Sequence, residues 1–364
     1  MSGAWPSRVL VMAPQVWCRD GGVQRYSRSI LQGLAVIRPN ASVQLLTLLD
    51  RSRPFPRLAL VLAALPRVLS RPQLVICTHL HLAPLAMLVA RLSGARFWLS
   101  CHGIEVWGPL TGLRRWALKR ADLLLPVSRF TAEQLQQQLG HVMPTFEILP
   151  NTYDARRFQP GPRPLALVAR YGLTEDQPLL LALTRLSVGD RRKHLDRVIT
   201  AMAELRHTHP QAVLLIAGDG DDRPRLQALV QQMDLQDVVL FPGRIAEEEL
   251  ADHFRLATAF VLPSDKEGFG IVFLEALGCG CPVLAGNRDG ARDPLADGRF
   301  GLLVNPDLPL SEPLRQLLDR RGDPLWFQPE ALSEAVAQRF AIPAFCERLN
   351  QLLTCHVKRP PSQC

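Results

Sequence analysis

Short apolar runs alternate with amphipathic stretches over the first 150 residues of this chain. The candidate strands are Arg8–Ala13, Val43–Leu48, Leu74–Cys77, Arg96–Ser100 and Leu123–Val127. Between them the apolar residues recur at helical spacing, as they do over Val23–Leu34. Regular alternation of strand and helix predicts a parallel sheet that is covered by helices on both faces.

A second alternating series follows a stretch rich in Pro and Arg at 150–164. Its candidate strands are Leu179–Thr184, Ala212–Ala217, Val238–Phe241, Ala259–Leu262 and Val283–Ala285. Its candidate helices are His194–His207, Asp222–Met233, Glu247–Leu256, Ile271–Leu277 and, last, Ser333–Leu353. We therefore predict an α/β protein of two doubly wound, Rossmann-like domains, residues 1–158 and 159–335, that face a central cleft. Residues 336–364 are a C-terminal helical segment that either stays with the second domain or crosses back to the first.

Composition agrees with a globular protein of two domains. The chain has 364 residues, 47% of them hydrophobic, and its mean hydropathy is +0.04. Its longest apolar run, Leu58–Leu65, ends at Pro66 and falls short of the roughly 20 residues that a membrane-spanning helix needs. The first residues lack the apolar segment of a secretory signal, so we expect a cytoplasmic protein.

Positive charge is concentrated in the first half of the chain. Residues 1–150 hold 17 Lys and Arg against 6 Asp and Glu, whereas the remainder holds 25 against 28. This asymmetry points to an anionic partner of the first domain. The basic residues are scattered and no nucleic-acid-binding motif is present, so we expect no nucleic acid. The remaining candidates for the anionic partner are a membrane surface and an acceptor that carries a pyrophosphate. The alternative explanation of the charge is that the chain is simply rich in Arg.

Two carboxylates seven residues apart carry the strongest chemical signal. Glu267 lies in a loop directly after the strand Ala259–Leu262, and Glu275 lies on the helix that follows. Gly268 and Gly270 let backbone N–H groups approach an anion, and the start of the helix adds its positive dipole end. Carboxylates also accept hydrogen bonds from sugar and ribose hydroxyls.

This segment resembles the E-x7-E signature of retaining glycosyltransferases with the GT-B fold, in particular glycosyltransferase family 4 (group 1). The resemblance implies that Glu267 acts on the donor sugar and that Glu275 contacts the ribose. It also implies that the amides of Phe269, Gly270 and Ile271 approach the sugar or its phosphate.

Cations after the first strand of the second domain suit a pyrophosphate, whose charge must be neutralised as a leaving group departs. Arg185 and Lys193 are the residues that the resemblance places on the donor phosphates. Arg191 and Arg192 crowd the same loop, so Lys193 is not the sole candidate for its position.

Histidines end two candidate strands of the first domain. The segment Ser100-Cys101-His102-Gly103 resembles a His-Gly segment of the family, which implies that His102 orients or stabilises the transferred sugar. His79 and His81 are alternatives that we expect to support His102 or to face the acceptor.

Other matches extend the resemblance over nearly the whole chain. Gly21 and Gly22 precede the first helix, where the resemblance implies a place near the donor phosphate and the acceptor. Arg244, after Phe241-Pro242-Gly243, is expected near the nucleotide base. The remaining matches are Pro126-Val127-Ser128, Pro150-Asn151 and Gly218-Asp219-Gly220.

The chain also departs from the family pattern. Where the family often has Gly-Gly-x-x-Glu, this chain has Asp289-Gly290-Ala291-Arg292-Asp293, which leaves the sugar or acceptor contacts there open. Asp219-Gly220-Asp221 spells the metal motif of another glycosyltransferase fold, but its place after a strand predicts a turn. We expect no metal and no other cofactor.

One stretch bears on membranes. Leu110, Leu113, Trp116 and Ala117 share one helical face, flanked by basic residues. The stretch is either an amphipathic segment at a membrane surface or an ordinary helix packed on its sheet. The charge of the first half favours peripheral contact with the inner face of a membrane.

Together these residues predict a retaining, metal-independent hexosyltransferase. The leading prediction is mannose transfer from GDP-mannose to a polysaccharide or lipid-linked oligosaccharide, as in lipopolysaccharide or exopolysaccharide assembly. A catalytically decayed carbohydrate- or lipid-binding relative is the alternative, and retention of Glu267, Glu275 and the loop cations argues against it. An NAD-dependent oxidoreductase would need G-x-G-x-x-G after the first strand, where only Gly21-Gly22 is present.

Overall fold

The protein is composed of two compact units. The computed structural model describes residues 6–17, 21–47 and 56–357. The first unit contains Met1–Thr152 together with Ile342–Cys364, and the second contains Tyr153–Ala341. These limits lie within a few residues of the predicted boundaries at 158 and 335.

The first unit is built on a parallel sheet of five strands. Its strands are β1 (Arg8–Ala13), β2 (Ser42–Thr47), β3 (Leu74–Cys77), β4 (Arg96–Cys101) and β5 (Leu123–Pro126). Its helices are α1 (Gly22–Ile37), α2 (Pro56–Leu69), α3 (Ala83–Ser93), α4 (Ile104–Trp107), α5 (Gly112–Leu118), α6 (Arg129–Leu139) and, at the end of the chain, α14 (Ile342–Val357). The strand order is β2-β1-β3-β4-β5, which places the point where the winding reverses between β1 and β3.

Continuous burial explains why the strands of the first unit are apolar along their whole length. Every residue of β3 and β5 is buried, because helices cover both faces of the sheet. The helix α14 belongs to this unit through its packing on α1. A Cβ at Gly33 of α1 would lie 3.0 Å from a methyl group of Leu349, so the glycine allows the two helices to approach closely.

The second unit has a six-stranded parallel sheet. Its strands are β6 (Leu179–Leu183), β7 (Val213–Ala217), β8 (Val239–Gly243), β9 (Ala259–Leu262), β10 (Val283–Gly286) and β11 (Leu302–Val304). Its helices are α7 (Leu165–Arg170), α8 (Leu195–Leu205), α9 (Arg223–Gln232), α10 (Leu250–Leu256), α11 (Ile271–Gly278), α12 (Ser311–Leu318) and α13 (Pro329–Phe340). The order β11-β10-β9-β6-β7-β8 is that of a doubly wound dinucleotide-binding sheet. The predicted α/β fold of two doubly wound parallel sheets is confirmed.

The prediction of a single last helix over Ser333–Leu353 is wrong. The structure has two helices there, and α13 ends at Phe340 before α14 begins at Ile342. Pro343 has no N–H to donate and its ring would clash inside a helix, so it is tolerated in the first turn of α14. β11 is not among the predicted strands, because its three residues are too few to show a period.

Of the two interpretations of the stretch 110–120, the structure favours the ordinary surface helix. Leu110 and Ala117 are buried, and Trp116 packs against the core of the first unit. Leu113 is 68% exposed and is the one member of the predicted face that points outward. Among the helices that the structure describes, none is long and apolar enough to cross a membrane.

Candidate active site

Two loops of the second unit begin at neighbouring strand ends. The strands β6 and β9 are paired in parallel, but the chain runs from β6 through β7 to β8 on one side and from β9 through β10 to β11 on the other. Loops that leave such a pair diverge, and the crevice at the carboxyl ends of the strands is where doubly wound sheets bind their ligands. Lys193 lies in the loop after β6, and Glu267 lies in the loop after β9.

Ion pairs join these two loops. The guanidinium of Arg192 donates two hydrogen bonds to the carboxylate of Asp265, at 2.7 and 2.8 Å. The ammonium group of Lys193 pairs with Oε1 of Glu267, and their side chains are only 13% and 18% exposed. The predicted phosphate cation and the predicted sugar carboxylate therefore neutralise each other in the structure.

The backbone of Glu267 is held by the loop after β10. Its N–H donates to Oδ2 of Asp289 at 2.6 Å, and its carbonyl accepts from the N–H of Gly290 at 2.8 Å. A Cβ at Gly290 would lie 2.1 Å from the carbonyl oxygen of Gly268, so only glycine permits this approach. The position of Glu267 thus depends on both residues of the Asp289-Gly290 pair.

Asp289 is a buried carboxyl group with two backbone donors. Its second oxygen accepts from the N–H of Ala291 at 2.9 Å, which caps the short 3-10 turn that follows. Burial raises the pKa of Asp289 to about 7, although the two N–H donors and Lys193 act in the opposite direction. In the sequence, Asp289 is recognisable only as a departure from the family pattern. An Asp-Gly pair before a turn is a local signal for such a side-chain cap.

The glycine-containing loop leads directly into α11. Gly270 has φ +88°, and a Cβ there would lie 2.4 Å from the ring of Phe273. The side chain of Phe269 is buried and its ring packs edge-on against Phe340, at 5.9 Å between centroids. Phe269 is therefore anchored in the core, and it is its backbone and those of Gly270 and Ile271 that could meet a ligand.

The second glutamate of the pair lies inside the helix. Glu275 is buried among apolar residues of α11, where a carboxylate needs partners. Burial raises the pKa of the nearby Cys279 thiol, and the negative charge of Glu275 raises it further. Glu275 is thus far less accessible than Glu267.

Arg185 and Arg244 are not part of the cluster around Lys193 and Glu267. Arg185 follows β6 but its side chain is 84% exposed and lies 3.3 Å from Asp190. Arg244 follows β8 and is exposed at the same edge of the sheet, two strands from β6. Within the residues that the structure describes, no ion pair or hydrogen bond links either side chain to Lys193 or Glu267.

The turn after β7 packs against the loop after β6. A Cβ at Gly218 would lie 1.8 Å from the carbonyl oxygen of Thr184, and one at Gly220 would lie 2.2 Å from that of Leu186. Asp219, between these glycines, accepts from the N–H of Gly220. Asp221, after them, accepts from the N–H of Val188 at 2.8 Å. The Asp219-Gly220-Asp221 sequence is therefore a turn that positions the preceding loop. No group of three His, Cys, Asp or Glu side chains suited to a metal occurs in the described part of the chain.

The first unit collects histidines at the ends of β3 and β4. Nε2 of His102 lies 2.7 Å from the carbonyl oxygen of Thr78, and because a carbonyl can only accept, Nε2 carries the proton. The backbone N–H of His102 donates to Oε1 of Glu105 at 2.5 Å, and Tyr26 packs edge-on against the ring at 4.9 Å. Burial lowers the pKa of His102, so its Nδ1 is a neutral acceptor.

The two rival histidines adjoin His102. The rings of His79 and His81 stack at 4.7 Å, and Nδ1 of His79 accepts from the backbone N–H of His81. Burial, followed by the electrostatic repulsion that His102 would exert in its protonated form, lowers the pKa of His79 to about 4. Gly21 and Gly22 lie at the start of α1, beyond β1 in the same unit, and residues 18–20 before them lie outside the described part of the chain.

Two family models match the chain along most of its length. The model described as Glycosyl transferases group 1 matches residues 167–336, and the model described as Glycosyltransferase Family 4 matches residues 14–157. The chain belongs to the group 1, family 4 glycosyltransferases. The recognition made from the E-x7-E segment is thereby confirmed.

Curated relatives give the family a chemical context. A GDP-mannose-dependent alpha-(1-6)-phosphatidylinositol monomannoside mannosyltransferase of Mycolicibacterium smegmatis is 38% identical over 238 residues. A D-inositol 3-phosphate glycosyltransferase of Frankia alni is 32% identical over 259 residues. Each alignment spans 61% of the relative's own length, and they cover 61% and 63% of this chain.

A solved structure gives the fold. The structure of HepE from Anabaena in complex with UDP superposes with a TM-score of 0.78 at 16% identity. The superposition covers 95% of this chain and 99% of that one, so the GT-B fold of this family member is confirmed.

Proposed function

We propose that this glycosyltransferase transfers a hexose, in the first instance mannose from GDP-mannose, to a phosphoinositide-type lipid or another saccharide acceptor. The observation that carries the proposal is the Lys193–Glu267 pair at the reversal point of the second sheet, held by Asp289. A cation and a carboxylate in this place offer one group for a diphosphate and one for sugar hydroxyls. The mannosyltransferase and inositol phosphate relatives support the donor and the acceptor class.

The transfer proceeds, in this proposal, with retention of configuration and without a metal. The bond between the anomeric carbon and the diphosphate oxygen breaks, and its electron pair leaves with the nucleoside diphosphate. The acceptor hydroxyl oxygen forms the new bond to the same face of the anomeric carbon, and its proton passes to the departing phosphate oxygen. Lys193 and Arg185 neutralise the leaving group, while Glu267 binds hydroxyls of the sugar. In the first unit, considered by itself, the neutral Nδ1 of His102 is an acceptor suited to a sugar hydroxyl.

Donor binding tests the proposal most directly. Thermal unfolding is measured with GDP, GDP-mannose, UDP and UDP-glucose, each with and without EDTA. We expect stabilisation by the guanosine series that EDTA does not alter, and loss of the shift in Lys193→Gln. Lys119→Gln, an exposed lysine of the first unit, is the matched control and keeps the shift. If no nucleotide sugar changed the unfolding temperature of the wild-type protein, the proposed activity would be refuted. Retention of the anomeric configuration is tested separately, by NMR of the product's anomeric proton.

The ion pair makes a sharper test possible. An arriving diphosphate has to take Lys193 from Glu267, so Glu267→Gln removes the competitor for the cation. We expect this variant to bind GDP about fivefold more tightly, equivalent to about 1 kcal/mol, while sugar transfer falls at least tenfold. Weaker GDP binding in Glu267→Gln would contradict the assigned roles.

We also propose peripheral contact of the first unit with an anionic membrane surface. The surface involved is the α2–α3 surface, defined by its exposed apolar side chains Val61, Leu62, Leu65, Leu69, Leu88 and Leu92. The two helices pack together, and exposed Arg91 adds positive charge. Apolar side chains with basic neighbours suit the interface of anionic lipids.

Vesicle sedimentation tests this contact. We expect binding to vesicles that contain phosphatidylglycerol and none to pure phosphatidylcholine, with loss of binding in Leu65→Glu/Leu69→Glu. Leu308→Glu introduces the same charge at an exposed leucine of the second unit and serves as the control. Equal binding by both variants would exclude the α2–α3 surface.

A further inference from the structure

Two hydroxyl groups are buried in the first unit beside the residue that holds the ring of His102. They belong to Ser27 and Thr78, which are both 0% exposed. Their oxygens lie 2.7 Å apart, although Ser27 is on α1 and Thr78 directly follows β3. A buried hydroxyl needs a hydrogen-bond partner, so this contact ties the two elements together at one point. We call these two side chains the Ser27–Thr78 pair.

The direction of each hydrogen bond in the Ser27–Thr78 pair follows from its surroundings. Oγ of Ser27 lies 2.8 Å from the carbonyl oxygen of Val23, one turn earlier in α1, and a carbonyl can only accept. The single hydroxyl proton of Ser27 therefore goes to Val23, and the hydroxyl of Thr78 donates to Ser27. The reverse direction would leave the proton of Thr78 without an acceptor among the described residues.

The backbone of Thr78 is held as firmly as its side chain. Its N–H donates to the carbonyl oxygen of Met12 in β1 at 2.9 Å. Its own carbonyl oxygen accepts the proton on Nε2 of His102 at 2.7 Å. Residue 78 is thus tied to β1 by its N–H and to α1 by its hydroxyl. Because both ties restrain one residue, together they fix the carbonyl oxygen that holds the imidazole.

The ring of His102 is confined on another side by Tyr26, the neighbour of Ser27 on α1. The two rings meet edge-on, with their centroids 4.9 Å apart and an angle of 87° between their planes. Tyr26 is itself buried and packs edge-on against Phe345 of α14 at 6.1 Å. The helix α1 therefore restrains the imidazole twice, directly through Tyr26 and indirectly through the Ser27–Thr78 pair.

Resting on the proposed function, we propose that Ser27 and Thr78 are positioning residues for His102 in sugar transfer. The hydroxyl of Thr78 keeps the carbonyl of its own residue in place, and that carbonyl keeps the ring proton on Nε2. Nδ1 then stays a neutral acceptor for a sugar hydroxyl. Neither hydroxyl touches the sugar, so both act through the imidazole. A misplacement of about 1 Å can lower a rate about 100-fold, so a small shift of Nδ1 is enough to slow transfer.

The tautomer of His102 tests the proposal without any donor. Burial lowers the pKa of His102, so at pH 7.5 the ring is neutral and carries one proton. Two-bond ¹H–¹⁵N spectra of the imidazoles are recorded at that pH, and the signals of His102 are assigned by their loss in His102→Gln. We expect the Nε2–H tautomer in the wild type and an at least threefold larger share of Nδ1–H in Thr78→Val and in Ser27→Ala. Thr78→Ser, which keeps the hydroxyl, should restore the wild-type spectrum.

A matched control lies on the same helix. Oγ of Ser29 donates to the carbonyl oxygen of Arg25 at 3.0 Å, which is the same kind of bond that Ser27 makes to Val23. Ser29→Ala therefore removes an equivalent hydroxyl from α1 but leaves Thr78 untouched. We expect its His102 spectrum to match that of the wild type.

Hydrolysis of GDP-mannose to GDP gives the kinetic consequence. We expect kcat to fall at least fivefold in Thr78→Val and in Ser27→Ala, while KM for GDP-mannose changes less than twofold. Thr78→Ser and Ser29→Ala should keep the wild-type kcat, which a general loss of packing in α1 would not allow.

Each outcome bears on one of the two proposals. A wild-type tautomer in both Thr78→Val and Ser27→Ala would overturn the positioning role, as would an equal fall of kcat in Ser29→Ala. If Thr78→Val does not fold, Ser27→Ala supplies the same two measurements. Absence of hydrolysis by the wild type, together with a shifted tautomer in the variants, would refute the proposed donor but support the control of His102 by the Ser27–Thr78 pair.

Discussion

Asp289 provides a quantitative test of how the donor loop, the loop after β9 that carries Glu267, is held in place. The carboxyl group is buried, and its pKa is raised from the ordinary 3.8 to about 7 chiefly by desolvation. In the unfolded chain the group loses its proton near pH 4, whereas the folded protein retains the proton until near pH 7. Folding is therefore opposed progressively as the pH rises between these values. A shift of about 3 pKa units corresponds to about 4 kcal/mol.

The perturbation is Asp289→Asn, which keeps the size of the side chain and removes the titration. The amide retains one acceptor oxygen for the N–H of Glu267 or Ala291 and turns its NH₂ toward the other donor. We expect a pH-independent loss of about 1–3 kcal/mol from the missing hydrogen bond. In addition, the free energy of unfolding of the wild-type protein should fall by up to about 4 kcal/mol between pH 4 and pH 7, whereas that of the variant should not fall for this reason.

Native-state hydrogen exchange is the suitable assay, because the two units need not unfold together. Opening free energies of peptides from β9 and β10 are compared in wild type and Asp289→Asn between pH 5 and pH 8, after correction for intrinsic exchange. Asp293→Asn changes a half-buried carboxylate of the same segment and is the matched control. A difference between wild type and Asp289→Asn that stays constant across this range would refute the reasoning.

Three further predictions concern other parts of the chain. Gly218→Ala should destabilise the second unit by at least 2 kcal/mol in urea unfolding, because its Cβ would lie 1.8 Å from Thr184 O. Gly189→Ala, whose Cβ would meet only the hydroxyl oxygen of Ser187 at 3.9 Å, should change the free energy of unfolding by no more than about 0.5 kcal/mol. The first unit should lose stability as the pH falls from about 6.5 toward 4, because His79 becomes protonated in the unfolded chain but stays neutral in the folded protein. His79→Asn should reduce this loss, as a comparison of the free energies of unfolding at pH 5 and pH 7 would show. Exposed Cys355 should react with a thiol reagent under native conditions, whereas buried Cys77 and Cys281, whose pKa values burial raises, should react only on unfolding, as peptide mass spectrometry would show.

Local patterns were sufficient to predict most elements of the fold. The strands are short, apolar on both faces and separated by helical periods, and these features survive in any context because each strand is buried by helices on both sides. The approximate positions of Lys193 and Glu267 followed, since loops after adjacent parallel strands share one edge of the sheet. The predictions failed where the structure of a segment depends on contacts with several other segments. The break between α13 and α14 depends on Pro343, and three-residue β11 is defined by its pairing with β10.

The chemistry of individual side chains was harder to predict, because it depends on neighbours distant in sequence. Arg185 and Lys193 are both cations in one loop, yet one is exposed and the other pairs with a carboxylate 74 residues away. Asp289 had the appearance of a departure until Glu267, 22 residues earlier, was found to donate to it. Similarly, Leu110 and Trp116 fit a membrane-facing stripe by spacing but pack on the core of their own unit.

The distribution of charge suggests how the two units treat their anionic ligands differently. In the second unit the loop cations are paired with carboxylates, since Arg192 pairs with Asp265 and Lys193 pairs with Glu267. An anion must therefore displace a carboxylate in order to bind these cations. Residues 1–150 hold only 6 acidic residues against 17 basic ones, so an anion meets a standing positive field there. Salt screens such a field over about 10 Å at 0.1 M, whereas a partly buried exchange of partners is screened less. Raising the salt from 50 to 500 mM should therefore weaken binding of a phosphorylated acceptor much more than binding of GDP, and an equal loss for both would show that the internal carboxylates do not set the selectivity of the donor loop.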